Sequence, residues 1–169
     1  MARYVVSTLK IFKTRYYFRK TVKEFMVQET TLIASDHAGF EMKAVIGVRL
    51  KDLGFGVLDL GTNKTESVDY PDFAEAVALA LLERKASWGV LICGTGIGIS
   101  IAANRHRHVR AALCHSATDA RFARAHNNAN VLALGARTTG IEIALDCLSI
   151  FMQTPFEGGR HQKRVKKYS

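Results

Sequence analysis

Five short apolar runs, each followed by a stretch of helical periodicity, constrain this chain more than any other feature. The runs are Thr31–Ser35, Val57–Leu60, Val90–Cys93, Val109–Cys114 and Val131–Leu134. The first, third and fifth are almost wholly apolar, as expected of strands covered on both faces. Segments with a 3.6-residue period follow over roughly 39–53, 71–86, 97–106, 116–126 and 138–152. In the second of these, Phe73, Val77, Ala80 and Leu81 share a face behind Pro71, a residue that helices accept in their first turn. Strands alternating with helices imply parallel pairing through right-handed crossovers. The expected fold is α/β: a three-layer α/β/α sandwich, Rossmann-like, with about five parallel strands in one domain.

Composition agrees. A chain of 169 residues, 48% hydrophobic and 23% charged, can bury one core and is not low-complexity disorder. Its net charge of +9 raises the question of nucleic acid, so the location of the charge matters. Residues 1–30 hold seven basic and two acidic groups, residues 31–154 hold twelve of each, and residues 155–169 hold five and one. The basicity belongs to the ends, and nucleic acid is not the expected partner. Three cysteines form no disulfide scaffold and no C-x-x-C, which argues for a reducing compartment and against thiol redox chemistry.

Residues 1–30 read as a basic N-terminal extension, or as sequence upstream of a start at Met26. They lack the continuous apolar stretch of a secretory signal. Val5, Leu9, Phe12 and Tyr16 fall at helical spacing. Residues 86–104 carry no charge and approach the length of a membrane span, but four glycines interrupt them. A strand feeding a glycine turn and then a helix is expected there, and no membrane association.

Ligands of open parallel sheets sit beyond the carboxyl ends of the strands. That rule singles out Asp36-His37, Cys93-Gly94-Thr95-Gly96 and Gly135-Ala136-Arg137. The turn Cys93-Gly94-Thr95-Gly96-Ile97-Gly98 does not fit a dinucleotide fingerprint. Ile99 occupies the last glycine position, and Cys114 stands where an acidic residue is needed. No phosphate-loop Lys-Ser/Thr follows either. Glycines at a helix start still let backbone N–H groups face an anion. A thiol there feels the positive helix end and can serve as base or nucleophile. Cys93 therefore has two readings, a reactive thiolate or a small buried residue closing a strand. Cys114 and Cys147, in a strand and mid-helix, read as core. His106 and His108 lie in a basic turn without the ligands of a metal site, and no metal is expected.

Asp36 can cap the helix after it, and His37 can bind an anion. His126-Asn127-Asn128-Ala129-Asn130 ends a helix before a strand, where asparagine suits a turn. That helix ends at the edge of the sheet opposite Cys93, so a catalytic His126 would serve a partner's site, as in a homodimer. In the tail, Arg160 and Arg164 are i, i+4, able to grip a phosphate if helical, or simply solvated.

Five segments in order closely resemble ribose-5-phosphate isomerase of the B type, in the family that also holds galactose-6-phosphate isomerase subunits. They are Ser35-Asp36-His37-Ala38-Gly39-Phe40, Asp69-Tyr70-Pro71, Cys93 through Ser100, His126-Asn127 with Asn130-Val131-Leu132, and Glu157 through Val165. They span residues 31–165, about four-fifths of the chain. The resemblance implies a cytoplasmic, cofactor-free and metal-free aldose–ketose isomerase of the pentose phosphate pathway. It would join ribose 5-phosphate and ribulose 5-phosphate through an enediolate. It implies Cys93 as base, Gly94, Thr95, Gly96, Ile97 and Gly98 around the oxyanion, and His126 as ring-opening acid/base. Asp36, Tyr70 and Asn127 match hydroxyl contacts, and His37, Arg137, Arg160 and Arg164 match the phosphate set. It implies a homodimer or homotetramer with shared sites, an isomerase domain over 31–154 and a tail over 155–169 that reaches the active site. A six-carbon substrate, allose or galactose 6-phosphate, is the alternative.

Overall fold

A computed structural model describes residues 29–169. The strands are β1 (Thr30–Ser35), β2 (Gly56–Asp59), β3 (Trp88–Cys93), β4 (Ala111–Leu113) and β5 (Val131–Gly135). They form one all-parallel sheet in the order β2-β1-β3-β5-β4. The three apolar runs are therefore the three central strands, and the two mixed runs are the edges. The helices are α1 (Phe40–Asp52), α2 (Tyr70–Leu82), α3 (Ile97–Ala103), α4 (Ala117–Ala125), α5 (Ile141–Gln153) and α6 (Gly159–Val165). The expected extension, with Val5, Leu9, Phe12, Tyr16 and Met26, falls almost entirely outside the described residues.

Strand alternation sorts the core into two layers. Ile33, Val90, Ile92, Leu132 and Leu134 pack with Ile46 of α1, Ala120 of α4, and Leu148 and Phe151 of α5. On the other face Leu32, Leu91, Cys93 and Val131 meet Val77 of α2 and Ile99 of α3. Full burial of an aliphatic side chain of this size contributes about 1.5–3 kcal/mol.

Several elements are shorter than their periodicity suggests, each for a local reason. Helix α2 stops at Leu82 because Arg84 takes a left-handed φ of 57°. Helix α3 stops at Ala103 because Asn104 turns the chain. Its side chain exchanges two 2.8 Å hydrogen bonds with the backbone of Ala111 and so starts β4. The fourth run pairs only over Ala111–Leu113, which leaves Cys114 just past the strand rather than in it. Residues 86–104 resolve into β3, the glycine turn and α3. Among the described residues no helix is long and apolar enough to cross a membrane.

The strand order reverses at β1, which has β2 on one side and β3 on the other. Ligands of open parallel sheets bind at such reversals, beyond the strand ends. Asp36 follows β1, Cys93 ends β3, and the Asp36 N–H donates to Ile92 O at 3.1 Å, joining the two ends.

Candidate active site

At the reversal the backbone does most of the positioning. Asp36 caps a short 3-10 turn, His37–Gly39, its Oδ1 accepting from the N–H groups of Ala38 and Gly39 at 3.0 and 3.1 Å. Capping thus engages Oδ1, and the carboxylate is almost fully buried. His37 accepts a hydrogen bond at Nδ1 from Val68 N–H, 3.2 Å.

Cys93 is 4% exposed, and its Sγ accepts from the Gly96 N–H at 3.1 Å. Burial matches the core reading of this cysteine, whereas the amide contact matches the thiolate reading. Gly96 holds a left-handed φ of 76°, and a Cβ there would run into the side chain of Leu113 and the backbone of Leu134. The first N–H groups of a helix lack intrahelical acceptors, so those after Gly96 point into the same space. Thr95 Oγ1 takes the Ile97 N–H at 3.3 Å. Tyr70, at the start of α2, lies over Gly98, where an added Cβ would sit within 2.5–2.8 Å of its ring and hydroxyl. Arg137 N–H donates to Gly94 O at 2.8 Å, and its guanidinium lies over Gly94. Asp36, His37, Tyr70, the turn from Cys93 to Gly98, and Arg137 thus form one cluster.

His126, Asn127, Arg160 and Arg164 do not join it. The N–H of Gly89, at the amino end of β3, donates to Asn130 O. Cys93 lies four residues further along β3, about 13 Å at the usual strand rise. His126 precedes Asn130 and sits at the far edge. There its ring lies between Phe122, with centroids 4.7 Å apart, and His161, stacked at 4.2 Å and 5° from parallel. Glu157 Oε2 faces Nε2 of both histidines at 3.6 and 3.8 Å. Glu157 N–H donates to Ala125 O, and the Tyr168 hydroxyl to Asn127 O. Helix α6 buries His161 and Val165 and exposes Arg160 and Arg164, so the tail is a docked helix with two solvent-facing cations. Asn128 takes the turn conformation, φ 48°, and Asn130 ties the backbone of Arg110 and His108. Sequence reasoning gave no role to Phe122 or Tyr168; the i, i+4 spacing of Phe122 and His126 is a signal that could have marked the first, whereas Tyr168 acts through tertiary contact.

The environments of the other thiols and of His161 differ. Burial pushes the Cys114 thiol up to about 12 and the Cys147 thiol up to about 11. Burial, with the charges of His126, Arg160 and Arg164, lowers the pKa of His161, while Glu157 acts the other way. His126, Glu157 and His161 place their ligand atoms within 4.8 Å of one another. Because the two rings are stacked parallel, an ion in the plane of one lies far out of the plane of the other. The set does not converge as a metal site must. His106 and His108 are bound structurally, to Glu75 and to Ala78 O.

A parallel sheet carrying a thiol in a glycine turn at its reversal point defines an α/β protein with its candidate site beyond the strand ends. The pattern of the Ribose/Galactose Isomerase family matches residues 31–168. This chain belongs to that family. It is 45% identical to the ribose-5-phosphate isomerase B of Escherichia coli over 131 residues, 78% of this chain and 88% of that protein. Its fold superposes on a ribose 5-phosphate isomerase of Thermotoga maritima with a TM-score of 0.81 and 49% identity, covering 84% and 98% of the two chains. The type B enzyme of Trypanosoma brucei gives 0.82 and 40%, covering 84% and 97%.

Proposed function

We propose that this chain interconverts ribose 5-phosphate and ribulose 5-phosphate, in a homodimer whose two sites each draw on both subunits. The observation that carries the reading is the Cys93 sulfur held by the Gly96 amide at the strand-order reversal. The relatives named above support the five-carbon substrate, and nothing observed favours a six-carbon one.

The chemistry follows from the groups present. The ring-closed aldose is opened by His126 of the second subunit, which moves a proton between the anomeric hydroxyl and the ring oxygen. Cys93 as thiolate takes the proton from C2, and electrons flow to the carbonyl oxygen to give an enediolate. A proton shift from the C2 hydroxyl to the C1 oxygen moves the negative charge to O2, and the thiol then returns its proton to C1 as the C2 carbonyl forms. Amide N–H groups of the turn Gly94–Gly98, with the Thr95 hydroxyl, hold the oxyanion. Asp36, Tyr70 and the second subunit's Asn127 engage hydroxyls. His37 and Arg137, with Arg160 and Arg164 across the interface, hold the phosphate. The non-oxidative pentose phosphate route in the cytoplasm is the setting this reaction fits.

Two surface features support the second copy. Ile97 and Ile101, one turn apart on α3, are 53% and 60% exposed, an apolar ridge beside the cysteine turn. A cavity of about 570 Å³ opens along edge strand β4, lined by Leu113, Phe122, Asn127 and Tyr168 among others. Docking such a ridge against such a groove would bring His126 toward the other subunit's Cys93.

A coupled assay on ribose 5-phosphate with chelator present tests the reading. Wild type turns over, and Cys93→Ala loses about 10²–10⁴ in kcat with little change in substrate binding. Near-normal turnover of the variant refutes the base.

A further inference from the structure

Lys43 has no part in the chemistry above, yet its side chain is only 4% exposed. An ammonium is costly to bury unless each of its protons is matched. Here all three are. Nζ donates to both carboxylate oxygens of Asp59 at 2.7 Å and to Thr62 O at 2.8 Å. Asp59 Oδ1 also accepts the Gly61 N–H, 2.9 Å. Two backbone bonds of 2.7 Å, Ser35 N–H to Gly61 O and Thr62 N–H to Ser35 O, fasten the same stretch to the end of β1. Residues 63–67 are exposed, and the loop meets the site again at Val68, whose N–H donates to His37 Nδ1.

That last bond has a chemical consequence. A backbone amide can only donate, so Nδ1 must carry a lone pair and the proton of neutral His37 must sit on Nε2. Nε2 is then a donor, which suits a phosphate oxygen. The opposite tautomer would present a lone pair to an anion.

We propose that Lys43 is a positioning residue for phosphate binding: through Asp59 and Thr62 it anchors the 60–68 loop, so that the Val68 amide locks His37 as an Nε2–H donor. The link to phosphate rests on the isomerase reading, but the lock does not. Long-range nitrogen–proton NMR of the histidine rings tests it, with His37 assigned by the signal lost in His37→Gln. Wild type shows the Nε2–H form at His37. In Lys43→Met and in Asp59→Asn, whose native carboxylate is 45% exposed, the two tautomers mix. KM for ribose 5-phosphate rises about three- to tenfold, the worth of a displaced hydrogen bond, while kcat changes less than twofold. Lys43→Arg, which keeps the charge, restores part of the loss. Where Lys43→Met fails to fold, Asp59→Asn carries the same test. An unchanged His37 tautomer in the folded variants overturns the lock. Mixed tautomers with an unchanged KM overturn the phosphate role of His37 and leave the lock standing.

Discussion

At the carboxyl ends of β1 and β3, the candidate site residues are held by backbone. Asp36 is fixed by the amides it caps, His37 by Val68 N–H, Cys93 by Gly96 N–H and Arg137 through Gly94 O. At the opposite edge His126 is held mainly by side chains: Phe122 below, His161 above, Glu157 at its nitrogen. One half rests on the most buried strands of the sheet. The other depends on a C-terminal helix docking against the end of α4. On the proposed reading, the contrast pairs a half fixed by backbone, which holds the proposed base, with a half placed by side chains of the tail.

The sharpest way to break this picture is His126→Asn. Turnover of ring-closed ribose 5-phosphate should fall about 10²–10³-fold, as for loss of a general acid/base. The reverse reaction starts from ribulose 5-phosphate, which has no furanose ring to open, and should fall far less. Equal losses would remove the ring-opening role. Subunits of Cys93→Ala and His126→Asn, refolded together, sharpen the point. In a two-fold dimer with shared sites, random pairing returns about one quarter of wild-type activity, since half the dimers regain one intact site. No recovery would place both groups in one subunit.

A smaller effect belongs to the arginines of α6. Arg160→Ala and Arg164→Ala should each raise KM by about 10–100-fold, the value of a charge-assisted bond to phosphate, and change kcat little. An unchanged KM would return these side chains to plain solvation.

The last prediction leaves the rate aside. With their pKa values raised to about 12 and about 11, the Cys114 and Cys147 thiols gain protection from burial, since only the thiolate is nucleophilic. Below those values both stay protonated, and reactivity would appear only as pH climbs toward them or as the chain unfolds. Iodoacetamide on the native protein at pH 7.5, a value well under both, should alkylate Cys93 alone by peptide mass spectrometry. Native-state labelling of Cys114 would break the distinction between the cysteine turn and the core.

What could be read in the sequence follows one physical rule. Apolar runs buried on both faces cannot be anything but central strands, so Thr31–Ser35, Val90–Cys93 and Val131–Leu134 announce the middle of the sheet. Gly96 announces a turn, because its left-handed φ is one that side chains rarely adopt. These are local demands, and a sequence states local demands directly. Element ends were less visible. The Asn104 bridge to Ala111 and the left-handed Arg84 are set by what the chain meets next.

Only the tertiary structure decided the rest. It brought Tyr70 over Gly98, folded the tail so that His161 stacks on His126, and threaded Lys43 to Asp59 and Thr62 beneath a loop that ends on His37. None of these contacts leaves a periodic mark, because each partner is chosen by where distant segments pack and not by its neighbours in the chain.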